Sequence, residues 1–397
     1  MLEVLKNILI YGGSFVLVLS VVVFVHEYGH FSMARFRKVA IDTFSIGFGK
    51  KIFGWRDRQG VEWKIGALPL GGYVKFADDA DAMSTAPVEQ ISDPAALAEA
   101  RRKGLFHAQP LSTRALVVAA GPTANFIFSI LAFGLLAFIM GRDVTDISQV
   151  PARIAAVMEG SPAAQAGLQP GDVIRAANDA PIANFAELQA RVGASPGQEL
   201  RLTVERNGAP VTVLATPMRR GETAVLGVSG PLLLESERQI ERFSPLEAVG
   251  VGAQRTWDMV AQTAIYVGSI FAGRESGDQI AGPLGILNVS GQVASSALDA
   301  GGERGEGVGG AIGLLLLSLL GLAAMLSVAV GIVNLLPIPI LDGGHLLFYA
   351  IEGVRGGRPL PAVAQEWAYR AGFAVMASLF LFATWNDIAR QFTGSQG

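Results

Sequence analysis

From Asn7 to Val25 the chain carries no charged side chain, and the same holds for Ala115–Met140 and for Ala311–Asn334, the dense part of a third run. An α-helix rises 1.5 Å per residue, so about 20 such residues cross the roughly 30 Å hydrocarbon layer of a bilayer. A fourth, shorter run covers Ala371–Asn386. The sequence therefore predicts four spans, at about 7–30, 115–140, 311–336 and 369–387. A secretory signal is a poor reading of the first run, because only Lys6 precedes it and no small-x-small cleavage site follows. Ser244–Ala272 is interrupted by Glu247, Arg255 and Asp258, which suits an amphipathic interfacial helix better than a span.

Composition agrees with spans and closes other routes. Only 16% of the 397 residues are charged, against about a quarter in soluble proteins. The net charge of −3 gives no basic field for nucleic acid. Cysteine is absent, which excludes disulfides, thiolate metal sites and a cysteine nucleophile. With four histidines in all (His26, His30, His107 and His345), any metal site must be built from these and carboxylates.

Lys and Arg near the span ends set an orientation. Arg35, Arg37 and Lys38 follow the first span, Arg101, Arg102, Lys103 and Arg114 precede the second, and Arg355, Arg358 and Arg370 lie between the third and fourth. The expectation is that the 31–114 loop lies inside, with both termini and residues 141–306 outside. Spans one and three then run in the same direction.

The domain reading follows. Residues 1–140 form a first membrane half containing a cytosolic β-hairpin loop at 40–76. Residues 150–232 form a small α+β domain, 240–306 an amphipathic helix and connecting loop, and 307–397 a second membrane half. In 150–232 short β-type runs alternate with Gly, Pro and Asn turns, and Asn184–Val192 reads as a helix. SPAAQAGLQPGDVI (Ser161–Ile174) and the NDAPIANFAELQARV that follows resemble parts of a PDZ domain, a module that binds a peptide or C-terminus by strand addition. The overall expectation is a polytopic α-helical membrane protein with a membrane-associated β-hairpin region and an inserted PDZ-like domain.

Span one ends in His26-Glu27-x-x-His30. Positions i and i+4 share a helix face, so both imidazoles can reach one ion while Glu27 serves as a base. Zn²⁺ suits two imidazoles and an oxygen, and a catalytic site keeps a fourth position open. Asp342, in NLLPIPILDGGH, lies at the inner end of span three as His30 does in span one, and is the candidate third ligand. Pro337 and Pro339 break that helix, and Gly343-Gly344 allow a tight turn. His345, beyond the glycines, is the rival ligand. His107 fits no motif and reads as a solvated loop residue.

HEYGH, NLLPIPILDGG and a PDZ-like insert between them resemble the site-2 protease family of intramembrane zinc metalloproteases (peptidase M50), most closely its bacterial RseP-type branch. FSIGFGK (Phe44–Lys50), LPLGGYVKF (Leu68–Phe76), GPTANF (Gly121–Phe126) and AGPLGI (Ala281–Ile286) follow the family order. Well-known members of that branch carry two PDZ domains, whereas this chain has room for one.

The resemblance implies that His26, His30 and Asp342 bind zinc, with Glu27 and Asn334 catalytic. It implies substrate binding by Gly47, Phe48, Gly49, Gly71, Gly72, Tyr73, Asn334, Pro337 and Pro339. An interhelical hydrogen bond is the other reading of Asn334, ordinary cytosolic turns that of the hairpin glycines, and close helix packing that of GPTANF. By the same resemblance the protein sits in the bacterial inner membrane, with both termini and the PDZ-like domain periplasmic and the active site near the cytosolic side. The expected function is zinc-dependent cleavage within or near the transmembrane segment of single-span membrane proteins, such as anti-sigma factors or remnant signal peptides. Alternatives are a membrane-anchored zinc protease that cuts cytosolic loops, and a non-catalytic PDZ receptor.

Overall fold

The uncharged runs become the longest helices of the computed structural model, which describes residues 2–77, 93–221, 223–277, 281–303 and 307–393. It divides into two units, Met1–Ile139 with Ser244–Gly397, and Met140–Phe243.

The first unit begins with α1 (Leu2–Phe36), β1 (Ile41–Arg56), β2 (Glu62–Phe76), α2 (Pro94–Arg102) and α3 (Leu111–Met140). The second holds β3 (Arg142–Asp143), β4 (Ala152–Arg153), β5 (Ala156–Val157), α4 (Pro162–Gln165), β6 (Val173–Ala177), β7 (Ala180–Pro181), α5 (Phe185–Gly193), β8 (Leu200–Arg206), β9 (Ala209–Ala215), β10 (Met218–Arg220), β11 (Thr223–Val225), β12 (Val228–Ser229) and β13 (Ile240–Glu241). The chain then returns to the first unit with α6 (Pro245–Phe271), α7 (Pro283–Glu303), α8 (Gly307–Leu335), α9 (Asp342–Val354) and α10 (Ala362–Thr393). Four helices are long and apolar enough to cross a membrane, over Glu3–Phe36, Leu111–Met140, Gly307–Leu335 and Ala362–Arg390.

Helix direction in the first unit follows from which residues meet. Val18 and Val22 of α1 share a buried cluster with Leu319, Leu322 and Ala323 of α8, and further along both chains His26 and His30 meet Asp342 just past the end of α8, so the two helices run parallel. Against α3 the order reverses. Gly29 of α1 abuts Ala120 and Ala124, while His26, one turn earlier, meets Asn125. A β-carbon at Gly29 would run into the Ala120 carbonyl, so glycine is what lets these backbones touch.

Residues Pro283–Glu303, expected as part of a connecting loop, are instead helical. Asp387 of α10 accepts from the N–H groups of Gly282 (3.1 Å) and Gly285 (2.8 Å), supplying acceptors to amides that a helix start leaves unpaired. Helix α6 packs through Met259 and Val260 onto the α3–α8 cluster of Phe133, Leu136 and Val328. A β-carbon at Gly252 of α6 would lie 2.7 Å from the backbone nitrogen of Gly134, so α6 rests on the flank of α3.

The hairpin is more folded than a two-stranded ribbon. Thr43–Ile46 pairs with Gly72–Lys75 on one side and with Glu62–Ile65 on the other, and Phe53–Arg56 pairs outside Glu62–Ile65. Gly47 (φ +83°) and Gly49 (φ +82°) sit in the left-handed region where β1 doubles back. The resulting curl packs Phe44 and Trp63 on Phe31 of α1, and strand segment 72–75 pairs with one strand among the described residues.

In the second unit, β4-β6-β8-β9 form an antiparallel sheet with β7 on β6. Its core takes alternate residues of β8 (Leu200, Leu202, Val204) and the inner face of α5 (Phe185, Leu188, Val192). Asn184 caps α5 by accepting from Glu187 N–H, and Ser161 caps α4 by accepting from Ala164 N–H. Asp172, buried just before β6, accepts a forked pair of hydrogen bonds from Arg206 at 2.8 and 2.7 Å.

Candidate metal centre

His26 and His30 lie one turn apart near the C-terminal end of α1, and both turn Nε2 to the same point. The two Nε2 atoms are 3.2 Å apart, and each faces Oδ2 of Asp342, at 3.2 Å from His26 and 3.4 Å from His30. Two atoms each about 2.1 Å from a tetrahedral centre are separated by about 3.4 Å. The triangle thus has the size a zinc ion requires. Asp342 Oδ2 is shielded from solvent and has no hydrogen-bond partner. Among the described residues, His26, His30 and Asp342 form the one group able to hold a metal. A buried anionic oxygen with no donor, facing two imidazole nitrogens, fits a cation chemically as well as geometrically.

Asp342 reaches this point through a corner. Helix α8 ends at Leu335, and α9 begins with Asp342 itself, so Pro337 and Pro339 lie in the break. Gly343 and Gly344 keep helical backbone, since neither has a positive φ. Their requirement is proximity. A β-carbon on Gly343 would collide with the carbonyls of Leu335 and Leu336, and one on Gly344 would lie 2.6 Å from the Ile338 carbonyl carbon. At the first position of α9 the carboxylate also sits where a helix dipole favours negative charge.

Helix α3 supports the ligands from behind. His30 Nδ1 lies 2.9 Å from the Val117 carbonyl oxygen, which fixes its proton on Nδ1 and frees Nε2 for a metal. Gly121, one turn on, leaves room for the ring, because a β-carbon there would stand 2.5 Å from His30 Cε1. Pro122 removes the amide that would bond to Val118 and loosens this turn. Asn125, a further turn along, places its side-chain amide 3.2 Å from His26 Nδ1. GPTANF thus does more than permit close helix packing. Its tie to the histidines had no local signal, since Asn125 and His26 are 99 positions apart.

The remaining candidates divide. Gly72 is at the site: a β-carbon there would lie 2.9 Å from Glu27 Cγ and from Val23 Cγ1, so the backbone of strand segment 72–76 passes beside Glu27. Phe48 stacks on Tyr73 with centroids 6.1 Å apart and covers Gly71. Asn334 donates from Nδ2 to the Val330 carbonyl of its own helix, at 3.0 Å, which is an intrahelical bond. His345 stays outside the ligand triangle, with its ring near Tyr369 and Phe348. His107 is exposed in a turn after α2, as expected of a loop residue, with its ring edge-on to the buried Phe106.

Comparison with known proteins agrees with this chemistry. The model of "Peptidase family M50" matches residues 14–379. Metalloprotease MmpA of Caulobacter vibrioides is 41% identical over 388 residues, covering 95% of each chain. A Rhizobium meliloti protein named "Putative zinc metalloprotease" is 39% identical over 383 residues, covering 94% of this chain and 95% of its own. One of the same description from Rickettsia conorii is 31% identical over 388 residues, covering 96% and 99%. With a family model across most of its length and relatives matched nearly end to end, the chain belongs to peptidase family M50, as a zinc metalloprotease of the site-2 type.

Proposed function

We propose that this membrane metalloprotease cuts a peptide bond within or near the transmembrane segment of single-span membrane proteins, using His26, His30 and Asp342 as zinc ligands and Glu27 as general base. The observation that carries the reading is the ligand triangle itself, held between helices apolar enough to span a membrane. Leu131, Leu135 and Phe138 of α3 and Leu316 and Val333 of α8 remain exposed, as side chains facing lipid would be.

Zinc bound at such a site acidifies water and polarises a carbonyl. Glu27, next in sequence to one ligand, takes the proton of the attacking water and passes it to the leaving amine. Strand segment 72–75, which pairs with Thr43–Ile46 and with no second strand among the described residues, and which sets Gly72 against Glu27, supports substrate binding by strand addition. A helical substrate must first unwind there, because its amides are otherwise closed in their own hydrogen bonds. Gly47, Phe48, Gly49, Gly71 and Tyr73 shape that strand surface, and the Pro337–Pro339 corner carries the opposite ligand. Asn334 has a second amide hydrogen for the substrate carbonyl while the first stays on the Val330 carbonyl.

The β4-β6-β8-β9 sheet with α5 supports a PDZ-like receptor role for the second unit, on the periplasmic side according to the Lys/Arg asymmetry. The test is Glu27→Gln in the full chain, assayed on a model single-span substrate with the cut site mapped. The expected result is loss of cleavage with zinc retained. Full activity in the variant would refute the mechanism, and a scissile bond far outside the span would assign the enzyme to cytosolic loops instead.

A further inference from the structure

Metal binding through Nε2 obliges a neutral imidazole to carry its proton on Nδ1, and the group facing Nδ1 decides how readily it does so. For His30 that group is the Val117 carbonyl, an acceptor with no alternative. For His26 it is the Asn125 amide, whose Nδ2 stands 3.2 Å from Nδ1 while its Oδ1 accepts from Ser327 Oγ; a half-turn of the amide exchanges these two atoms without changing its shape, so the hydrogen bonds decide which end faces the ring. If the amide nitrogen faces His26, Nδ1 must accept and the proton moves to Nε2, the atom that points at Asp342 and His30. That arrangement closes the nitrogen to a cation.

We infer that Asn125 is a positioning residue for zinc, turning its carbonyl oxygen to His26 Nδ1–H and so holding the imidazole in the ligating tautomer. The inference rests on the reading that His26, His30 and Asp342 are the zinc ligands.

The surroundings of Asn125 fit this role. The residue is 0% exposed, so no water competes for its amide. Ser327 of α8 places Oγ 3.1 Å from the Oδ1 end of the amide, the end that the half-turn would exchange for Nδ2, and 3.2 Å from the Asn125 main-chain oxygen. With the carbonyl toward His26, the amide N–H donates to Ser327 Oγ, and the Ser327 O–H donates to the main-chain oxygen. Every polar atom named is then paired. Ser129 Oγ, 2.9 Å from both the Asn125 and Ala324 carbonyl oxygens, pins α3 to α8 one turn further on. The same helix α8 leads into the corner that delivers Asp342. Asn125 therefore joins the helix carrying the histidine pair to the helix that leads to the carboxylate.

The experiment measures zinc affinity of the full chain in detergent by chelator competition, with the cobalt(II) absorption spectrum as a second readout. Thermal midpoints of the zinc-stripped proteins monitor folding. Asn125→Leu, which keeps the shape but has no acceptor, is expected to weaken zinc binding by about 10–100-fold and to alter the cobalt spectrum. Asn125→Asp, which keeps the acceptor, is expected to bind at least as tightly as the unaltered chain. A merely structural role predicts the reverse order, since a buried carboxylate disturbs packing contacts more than leucine does.

Unchanged affinity in Asn125→Leu, or equal loss in Asn125→Asp, overturns the inference. If Asn125→Leu does not fold, Ser327→Ala decides. It removes the group that holds the amide, so weaker zinc binding supports the role and unchanged binding refutes it. His26→Ala is the reference: if it leaves zinc affinity intact, the ligand assignment itself is wrong, and the inference falls with it.

Discussion

Gly121→Ala puts one methyl group where the structure has His30. A β-carbon at position 121 would stand 2.5 Å from His30 Cε1 and 2.9 Å from Cδ2, with Nε2 closer still. Carbon atoms in comfortable contact are about 3.5–4.0 Å apart, so ring and helix must separate by about 1 Å. The ring has little freedom to yield. Its Nδ1 is bonded to Val117 O, one turn from Gly121 on the same face, and Gly29 is already in backbone contact with Ala120. Ligand distances in a working metal site are held to about 0.2 Å, several times less than this shift. Zinc affinity should fall by about 100-fold or more, at or past the top of the range for outer-shell substitutions, because here a ligand itself moves. Cleavage should fall at least as far, since about 1 Å of misplacement alone costs on the order of 100-fold in rate. The assay is zinc retention against graded chelator, followed by cleavage of a single-span substrate. Gly250→Ala in α6 is the control. A β-carbon there meets nothing within 4 Å, so that variant should keep zinc and gain about 0.5–1 kcal/mol of stability. Wild-type zinc affinity and activity in Gly121→Ala would refute the claim that α3 seats His30.

Arg114→Met should cost about 3–5 kcal/mol, because it leaves Glu352 buried beside α3 without the guanidinium that bonds it at 3.2 Å. The double change Arg114→Met with Glu352→Leu should recover most of that loss, read as thermal midpoint and zinc retention of the full chain. In the second unit, burial pushes the Asp172 carboxyl upward, but the Arg206 fork and the Gln169 N–H outweigh it and hold the group below its ordinary value. That stability is present above an unfolded value of about 3.9 and is lost as pH falls from there through the lower folded one. Arg206→Met should reverse the sign, since an unpaired buried carboxylate is relieved by protonation. Hydrogen exchange of β6 and β8 between pH 6 and about 3 should show the variant gaining protection where the unaltered chain loses it.

The helices apolar enough to span a membrane were legible because absence of charge over about 20 residues is a statement about solvent and needs no knowledge of neighbours. The His26–His30 pair was legible because i and i+4 share a face in any helix. Asp342 was reachable by combining the two: parallel helices of similar length bring their C-terminal ends to one level, and α1 and α8 do run parallel. What escaped was set by distant partners. Helix α7 is rich in Gly, Ala and Ser and reads as a loop, yet its start is satisfied by Asp387 about a hundred positions later. The curl of the hairpin was hidden because strand periodicity fixes which face a residue takes, and says nothing of a strand pairing twice. Asn125 was hidden for the same reason as α7. An asparagine in an apolar helix shows only that some partner exists, and the partner here was the histidine of another helix.

The way α3 meets α1 explains why the support comes from a helix at all. Two antiparallel helices present positions four apart at matching heights, so His26 and His30 meet Asn125 and Gly121 as a set. One contact would leave α1 free to rotate about it. Two contacts a full turn apart fix both the rotation and the height of the histidine face, and each leaves its Nε2 directed to the same point. Asp342 cannot be registered in this way, because it lies past the end of α8. It is held by the close-packed glycines of the corner instead, where a single added methyl group on either glycine meets backbone that cannot move aside. Both devices use glycine for lack of volume rather than for freedom of φ. Substitutions at Gly29, Gly121, Gly343 and Gly344 should therefore act first on metal affinity, and an added β-carbon should do more harm at any of them than at the left-handed Gly49, which has open space around it.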